Sequence, residues 1–291
     1  MQPSQPKLIL VPTDFSEPAA HALRYASALG ERFGAHLLIV YADPFLLPVD
    51  VPSRGTAEMI EEAREELQKH AEENVSTHVP FDTRVLVSGP VDAILEQARD
   101  TGCDLIVMGT HGRTGLRRLL VGSVTEAVMR TAAVPVIAVN ASTPETAAVR
   151  KILCPVTFTA VSREALRYAA ALGESPDTPL VLFHATEAQD LQNTIRELIR
   201  LQDWAPTDLA GRCDVKIVPR HASAEDIVAF ARMTTADLIA VGIPPGRGPA
   251  DVLRGTIAER IVQTSGCPVL VVNANTVARS RVAEIAAVTA P

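Results

Sequence analysis

The chain has 291 residues, which at roughly 100–200 residues per domain sets an expectation of two domains. Apolar residues make up 47% and charged residues 21%, a globular balance that excludes a disordered chain. A net charge of −7 argues against a broad basic face, and no uncharged apolar run approaches the roughly 18 residues of a membrane span, so neither nucleic acid nor membrane is an expected partner. Met1–Pro6 carries neither a basic nor an apolar signal region, which points to a cytoplasmic protein. Cys103, Cys154, Cys213 and Cys267 lie far apart with no CxxC pair, and read as small buried residues of a reducing compartment.

The apolar run Leu8–Pro12 reads as the first strand, with a helix near Pro18–Arg32 behind it. Strands at Leu37–Tyr41, Thr83–Val87, Leu105–Met108 and Val136–Val139 follow, alternating with helices near Ala57–Asn74, Val91–Asp100 and Ser123–Arg130. This alternation is the pattern of βαβ units and a parallel sheet. Leu37–Val40 and Leu105–Met108 are apolar throughout, as strands covered on both faces are. Then the chain repeats itself. Ala22–Glu31 recurs as Ala165–Glu174 with a single difference, at an offset of 143, and Val134–Asn140 recurs as Cys267–Asn273 at an offset of 133. The first copy therefore holds ten extra residues, assigned to the Pro44–Gly55 loop. Strands near Ile152–Pro155, Leu180–His184, Val215–Val218, Leu238–Val241 and Val269–Val272 complete the second copy. The expected fold is α/β, two doubly wound domains at 1–142 and 143–291, with a tail after Asn273 that is either a short helix or a frayed end.

In such a sheet, ligands bind beyond the carboxyl ends of the strands, where strand order reverses. After the first strand comes Pro12-Thr13-Asp14-Phe15-Ser16; after the fourth comes Gly109-Thr110-His111-Gly112, then nine residues, then Gly122-Ser123-Val124-Thr125 opening a helix. The second stretch has the makings of a phosphate cradle. Its glycines let backbone approach a ligand, and Ser123 and Thr125 bring hydroxyls to a helix start that favours an anion. From Leu105 to Thr125 there are three arginines, Arg113, Arg117 and Arg118, and no carboxylate. An ordinary glycine-rich connection with helix capping fits the same residues. Asp14 likewise suits either a nucleoside's hydroxyl and amino donors or a turn at a helix start. No P-loop occurs, and no GxGxxG follows the first strand.

Gly109, Gly112, Gly122 and Ser123, at this spacing and paired with Val11–Ser16, resemble the ATP-binding signature and opening strand of the universal stress protein family. The resemblance covers both copies and implies a tandem member with parallel sheets in the order 3-2-1-4-5. It implies that Pro12, Thr13 and Asp14 meet the nucleoside and that the Val40 backbone holds the adenine edge. Met108, Gly109, His111 and Gly112 would follow the ribose and first phosphates. Gly122, Ser123, Val124 and Thr125 would hold the terminal phosphates, with a divalent cation, Mg2+, between them. His111 is expected to act through its backbone or to face solvent, and Gly89 to lie near the sugar.

The second copy departs from that pattern. Thr157 stands in place of Asp14, Phe183 in place of Val40, Ala222 in place of Gly89 and Pro245 in place of Gly112, while Gly246 sits one place late; Asp251 adds a negative charge. A hydrogen bond to a charged group contributes about 1.5–3 kcal/mol, so losing the aspartate alone costs roughly 10- to 150-fold in affinity. A degenerate second site is expected. The apolar fifth strands Val136–Val139 and Val269–Val272 are expected to pair, burying two sheet edges in an intramolecular pseudo-dimer, and a further homodimer is compatible with it. The functional expectation is a stress-response regulator that binds ATP in its first domain and signals to a protein partner. A slow ATPase or nucleotide transferase is the alternative, disfavoured because the cradle lacks a base.

Overall fold

The structure, a computed structural model, describes residues 5–44, 54–111, 121–187, 190–219, 221–244 and 256–289. The chain divides between Ala147 and Ala148 into two compact units. In the first, strands β1 (Leu8–Thr13), β2 (His36–Ala42), β3 (Phe81–Leu86), β4 (Leu105–Gly109) and β5 (Val136–Val139) alternate with helices α1 (Glu17–Phe33), α2 (Arg54–Asn74), α3 (Pro90–Asp100) and α4 (Ser123–Thr131). All pairings are parallel, in the order β3-β2-β1-β4-β5. The reversal of strand order therefore falls between β1 and β4.

The second unit repeats this plan with β6 (Ile152–Pro155), β7 (Leu180–Thr186), β8 (Cys213–Pro219), β9 (Leu238–Gly242) and β10 (Val269–Val272). Its helices are α5 (Ala160–Ala171), α6 (Leu191–Trp204), α7 (Ala224–Met233), α8 (Ile257–Thr264) and α9 (Ala274–Thr289). The order β8-β7-β6-β9-β10 is the same topology. The tail beyond Asn273 is helix α9 rather than a frayed end.

Two devices explain why the repeated sequence repeats the fold. The aspartate before each fourth strand stitches the start of the first: Asp104 Oδ2 accepts from the Lys7 and Leu8 amides, and Asp237 Oδ2 from those of Arg150 and Lys151. The aliphatic strand residues Ile9–Val11, Leu105–Val107, Ile152–Leu153 and Val269–Leu270 then fill the two cores at 0–2% exposure. The third strand begins two residues earlier than its apolar pattern suggests and ends at Leu86 instead of Val87. Its ladder with β2 opens where the Leu37 amide meets the Pro80 carbonyl and closes where the Asp43 amide meets that of Leu86.

Cys103, Cys154 and Cys267 are buried and Cys213 is half-buried, all as free thiols. Burial pushes the Cys154 thiol far above its usual range, that of Cys213 up to about 11 and that of Cys267 up to about 12. No described helix is long and apolar enough to cross a membrane.

Each fourth strand ends on a glycine beneath the first turn of a helix. A Cβ on Gly109 would lie 2.7 Å from the Pro18 carbonyl oxygen, and one on Gly242 would lie 2.6 Å from the Ser162 amide nitrogen. Neither contact has a flexible side chain to give way. Gly242→Ala is therefore expected to destabilise the second unit by about 1–3 kcal/mol. Gly211→Ala, where a Cβ meets nothing within 4 Å, should shift stability by less than about 0.5 kcal/mol. Urea unfolding midpoints separate the two.

Candidate functional site

Beyond β1 the chain makes a tight turn into α1. Phe15 takes the left-handed conformation at φ 64°, which costs a non-glycine residue about 1–2 kcal/mol. Side chains on both sides hold it there. The Phe15 amide donates to Thr13 Oγ1 at 3.1 Å, and the Ser16 amide and hydroxyl donate to Asp14 Oδ1 at 3.1 and 2.5 Å. The Phe15 ring packs on Tyr41 at 4.6 Å between centroids and edge-on to His70 at 5.4 Å. Asp14 thus serves the turn itself through one of its oxygens.

This turn forms one side of a cleft of about 340 Å³ at the carboxyl ends of β1, β2 and β4, where the strand order reverses. Of the thirteen residues singled out from sequence, eleven line it: Pro12, Thr13, Asp14, Val40, Met108, Gly109, His111, Gly122, Ser123, Val124 and Thr125; Gly89, at the start of α3, is not among the lining residues. Gly112 lies outside the described residues, as do Arg113, Arg117 and Arg118 and, in the second copy, Pro245, Gly246 and Asp251. Ala19, Ala42, Pro90 and Ile94 complete the lining. These four lie at predicted strand and helix ends, and only the strand order shows that they converge.

The glycines differ in what they do. Gly109 is required by the approach of α1, a demand internal to the fold. Gly122 is under no such demand: its φ is −60°, and a Cβ would meet its nearest neighbour, the Thr110 carbonyl oxygen, at an ordinary 3.5 Å. It precedes α4 and offers no side-chain cap. Thr125, which could have turned inward as a cap, donates its hydroxyl to the Gly109 carbonyl at 2.8 Å. The first amides of α4 therefore open towards the cleft without a side-chain acceptor from Gly122.

His111 is half-buried. Its Nδ1 lies 2.8 Å from Thr110 Oγ1, and its Nε2 is buried without a hydrogen-bond partner among the described residues. Thr110 is 1% exposed, so its hydroxyl proton needs an acceptor, and among the described residues Nδ1 is that partner. That fixes the tautomer with hydrogen on Nε2, leaving an unpaired donor on a ring that lines the cleft.

The corresponding end of the second unit is built differently. Phe158 keeps the left-handed turn at φ 55°, but Thr157, in the place of Asp14, bonds with Thr159 at 3.1 Å. Phe183, in the place of Val40, is buried against Phe230 at 5.2 Å between ring centroids. Helix α8 caps itself: Thr256 Oγ1 accepts from the Glu259 amide. The acceptor that α4 lacks is supplied in α8 by the chain.

A family model, described as the universal stress protein family, matches residues 6–140 and again 148–273. Universal stress protein MJ0531 of Methanocaldococcus jannaschii is 36% identical over 139 residues, 46% of this chain and 82% of that protein. Universal stress protein MJ0577 of the same organism is 33% identical over 155 residues, 46% of this chain and 94% of that protein. The crystal structure of a universal stress protein from Archaeoglobus fulgidus superposes with a TM-score of 0.65 at 21% identity, covering 91% of this chain and 98% of that one.

The contrast between the two helix starts has a stability consequence. Thr256→Ala should cost the second unit about 1 kcal/mol through loss of its cap. Gly122→Ala should leave the first unit within about 0.5 kcal/mol of the parent. Chemical denaturation of each variant checks both.

Proposed function

The chain belongs to the universal stress protein family, once in each unit, and on that footing we propose that its first unit binds an adenine nucleotide, ATP in preference to AMP, while the second does not. One observation carries the reading: the start of α4 opens, without a side-chain cap, on a cleft that also holds a buried imidazole donor with no partner among the described residues. Helix amides and an N–H donor suit a phosphate chain. The same cleft carries apolar surface from Val40, Ala42, Ile94 and Met108 that suits a base, and Asp14 offers a carboxylate to hydroxyl or amino donors. Gly122, with no internal need to be glycine, leaves backbone bare where a phosphate would approach.

No group of three or more His, Cys, Asp or Glu residues among the described residues is placed to cage a metal. A divalent ion such as Mg2+ would therefore arrive on the nucleotide's phosphates, with the Ser123 hydroxyl as the protein's contribution, and would neutralise phosphate charge. Asp14 is the one carboxylate among the described lining residues, and it is engaged with Ser16. The arrangement favours binding over turnover, so the nucleotide serves as a signal in a regulatory module with a protein partner, and any hydrolysis is slow.

Calorimetric titration of the full chain should give about one ATP per chain, weaker binding of AMP, and a loss of roughly 10- to 150-fold in Asp14→Ala. Gly122→Ala should weaken ATP binding without loss of stability. Two equivalent sites, or an Asp14→Ala variant that binds like the parent, would refute the assignment.

A further inference from the structure

The histidine on α2 has no part in the pattern that carries the family resemblance, yet it touches the residue on each side of Asp14. His70 Nε2 lies 3.2 Å from Thr13 Oγ1, and the His70 ring meets the Phe15 ring edge-on at 5.4 Å. We propose that His70 is a positioning residue for the nucleotide seat: it clamps the Thr13–Ser16 turn, and protonation of its imidazole releases the clamp and weakens nucleotide binding. The proposal rests on the nucleotide reading of the cleft and adds a pH response to it.

The argument turns on one buried hydroxyl. Thr13 is 7% exposed, and its Oγ1 already accepts from the Phe15 amide at 3.1 Å. An amide cannot take the hydroxyl's own proton, so that proton goes to His70 Nε2. The imidazole must then be neutral, with its hydrogen on Nδ1. Adding a proton to Nε2 sets two donors face to face. The hydroxyl can turn to accept from both nitrogens, but its proton is then stranded in a buried site. The clamp is therefore intact with neutral His70 and broken with the imidazolium.

Burial, the largest influence on the ring, acts in the same direction. Burial lowers the His70 pKa below its ordinary value. Glu73 and Glu66 on α2 itself oppose that shift, Arg24 on α1 adds to it, and Asp14 beyond β1 opposes it; β2 contributes Tyr41, which reaches the cluster through Phe15. A folded-state pKa below the unfolded value of about 6.5 means that the clamp is complete above that value and is lost as pH falls through the lower, folded one.

The second unit supplies an internal comparison. Val156 takes the place of Thr13, and the histidine beside that turn, His184, donates its Nδ1–H to the Val156 carbonyl at 2.9 Å. Among the described residues no hydroxyl there depends on a neutral ring. The hydroxyl-dependent clamp is a property of the unit that has the cleft.

The test is calorimetric titration of the full chain with ATP at pH 7.5, 6.5 and 5.5, for the parent, His70→Gln and His70→Phe. Glutamine keeps an acceptor near Nε2 and does not titrate; phenylalanine keeps the ring contact and drops the acceptor. Net loss of one hydrogen bond corresponds to about a 2- to 10-fold change in affinity. ATP's own phosphates are protonated alike whichever variant is titrated, so the differences between the profiles are the readout. The parent should lose that much more affinity than His70→Gln between pH 7.5 and 5.5. His70→Gln should match the parent at pH 7.5, and His70→Phe should bind about 2- to 10-fold more weakly there. A His70→Gln profile that superimposes on the parent's, or a His70→Phe variant that binds as tightly at pH 7.5, overturns the clamp and leaves nucleotide binding standing. A parent chain that binds no ATP at any pH overturns both.

Discussion

The first turn of α1 lies so close on the end of β4 that residue 109 has no room for a β-carbon, and this single approach sets the geometry of everything above it. It fixes where the chain must leave β1, and so forces a turn tight enough to hold Phe15 in the left-handed region. It also brings Ala19 and Gly109 together as part of the cleft lining. The second unit obeys the same constraint with Gly242 under α5, down to a left-handed phenylalanine at the matching position. A glycine retained at the end of the fourth strand is therefore evidence of a shared frame and says nothing of a ligand.

Above that frame the two units differ in a handful of atoms. In one unit the helix start is left open, the strand-end residue is a compact valine, and a carboxylate sits in the turn. In the other, a threonine hydroxyl occupies the helix start, a phenylalanine packs where the valine stood, and two threonines bond across the turn. Each change replaces a group that can meet a ligand with one already satisfied by the chain. Such changes preserve stability, because a capped helix and a buried aromatic pair both favour folding.

How much of this could be read in the sequence follows from the range of the interactions. Continuous apolar runs and a repeated ten-residue helix segment reveal strands, order of elements and duplication, because those depend on local pattern. The edge strand β3 is misplaced at both ends, because its limits are set by the ladder with β2. Gly109 is legible as important but for another reason than packing beneath Pro18, which no spacing encodes. The same holds for Thr110, whose hydroxyl orients His111, and for His70. A trace of His70 exists: with Ala63, Leu67 and Ala71 it falls on the inward stripe of α2. What the stripe cannot show is that the residue it meets is a threonine with one proton to place.

The thiols have a consequence for how the chain meets oxidants. Attack on peroxide requires a thiolate, and burial holds Cys154, Cys213 and Cys267 in the protonated form at physiological pH. None of these three sulfurs offers the low-pKa, solvent-facing nucleophile on which sulfenic-acid chemistry starts. Raised thiol pKa values therefore set these three side chains against reaction in an oxidative burst.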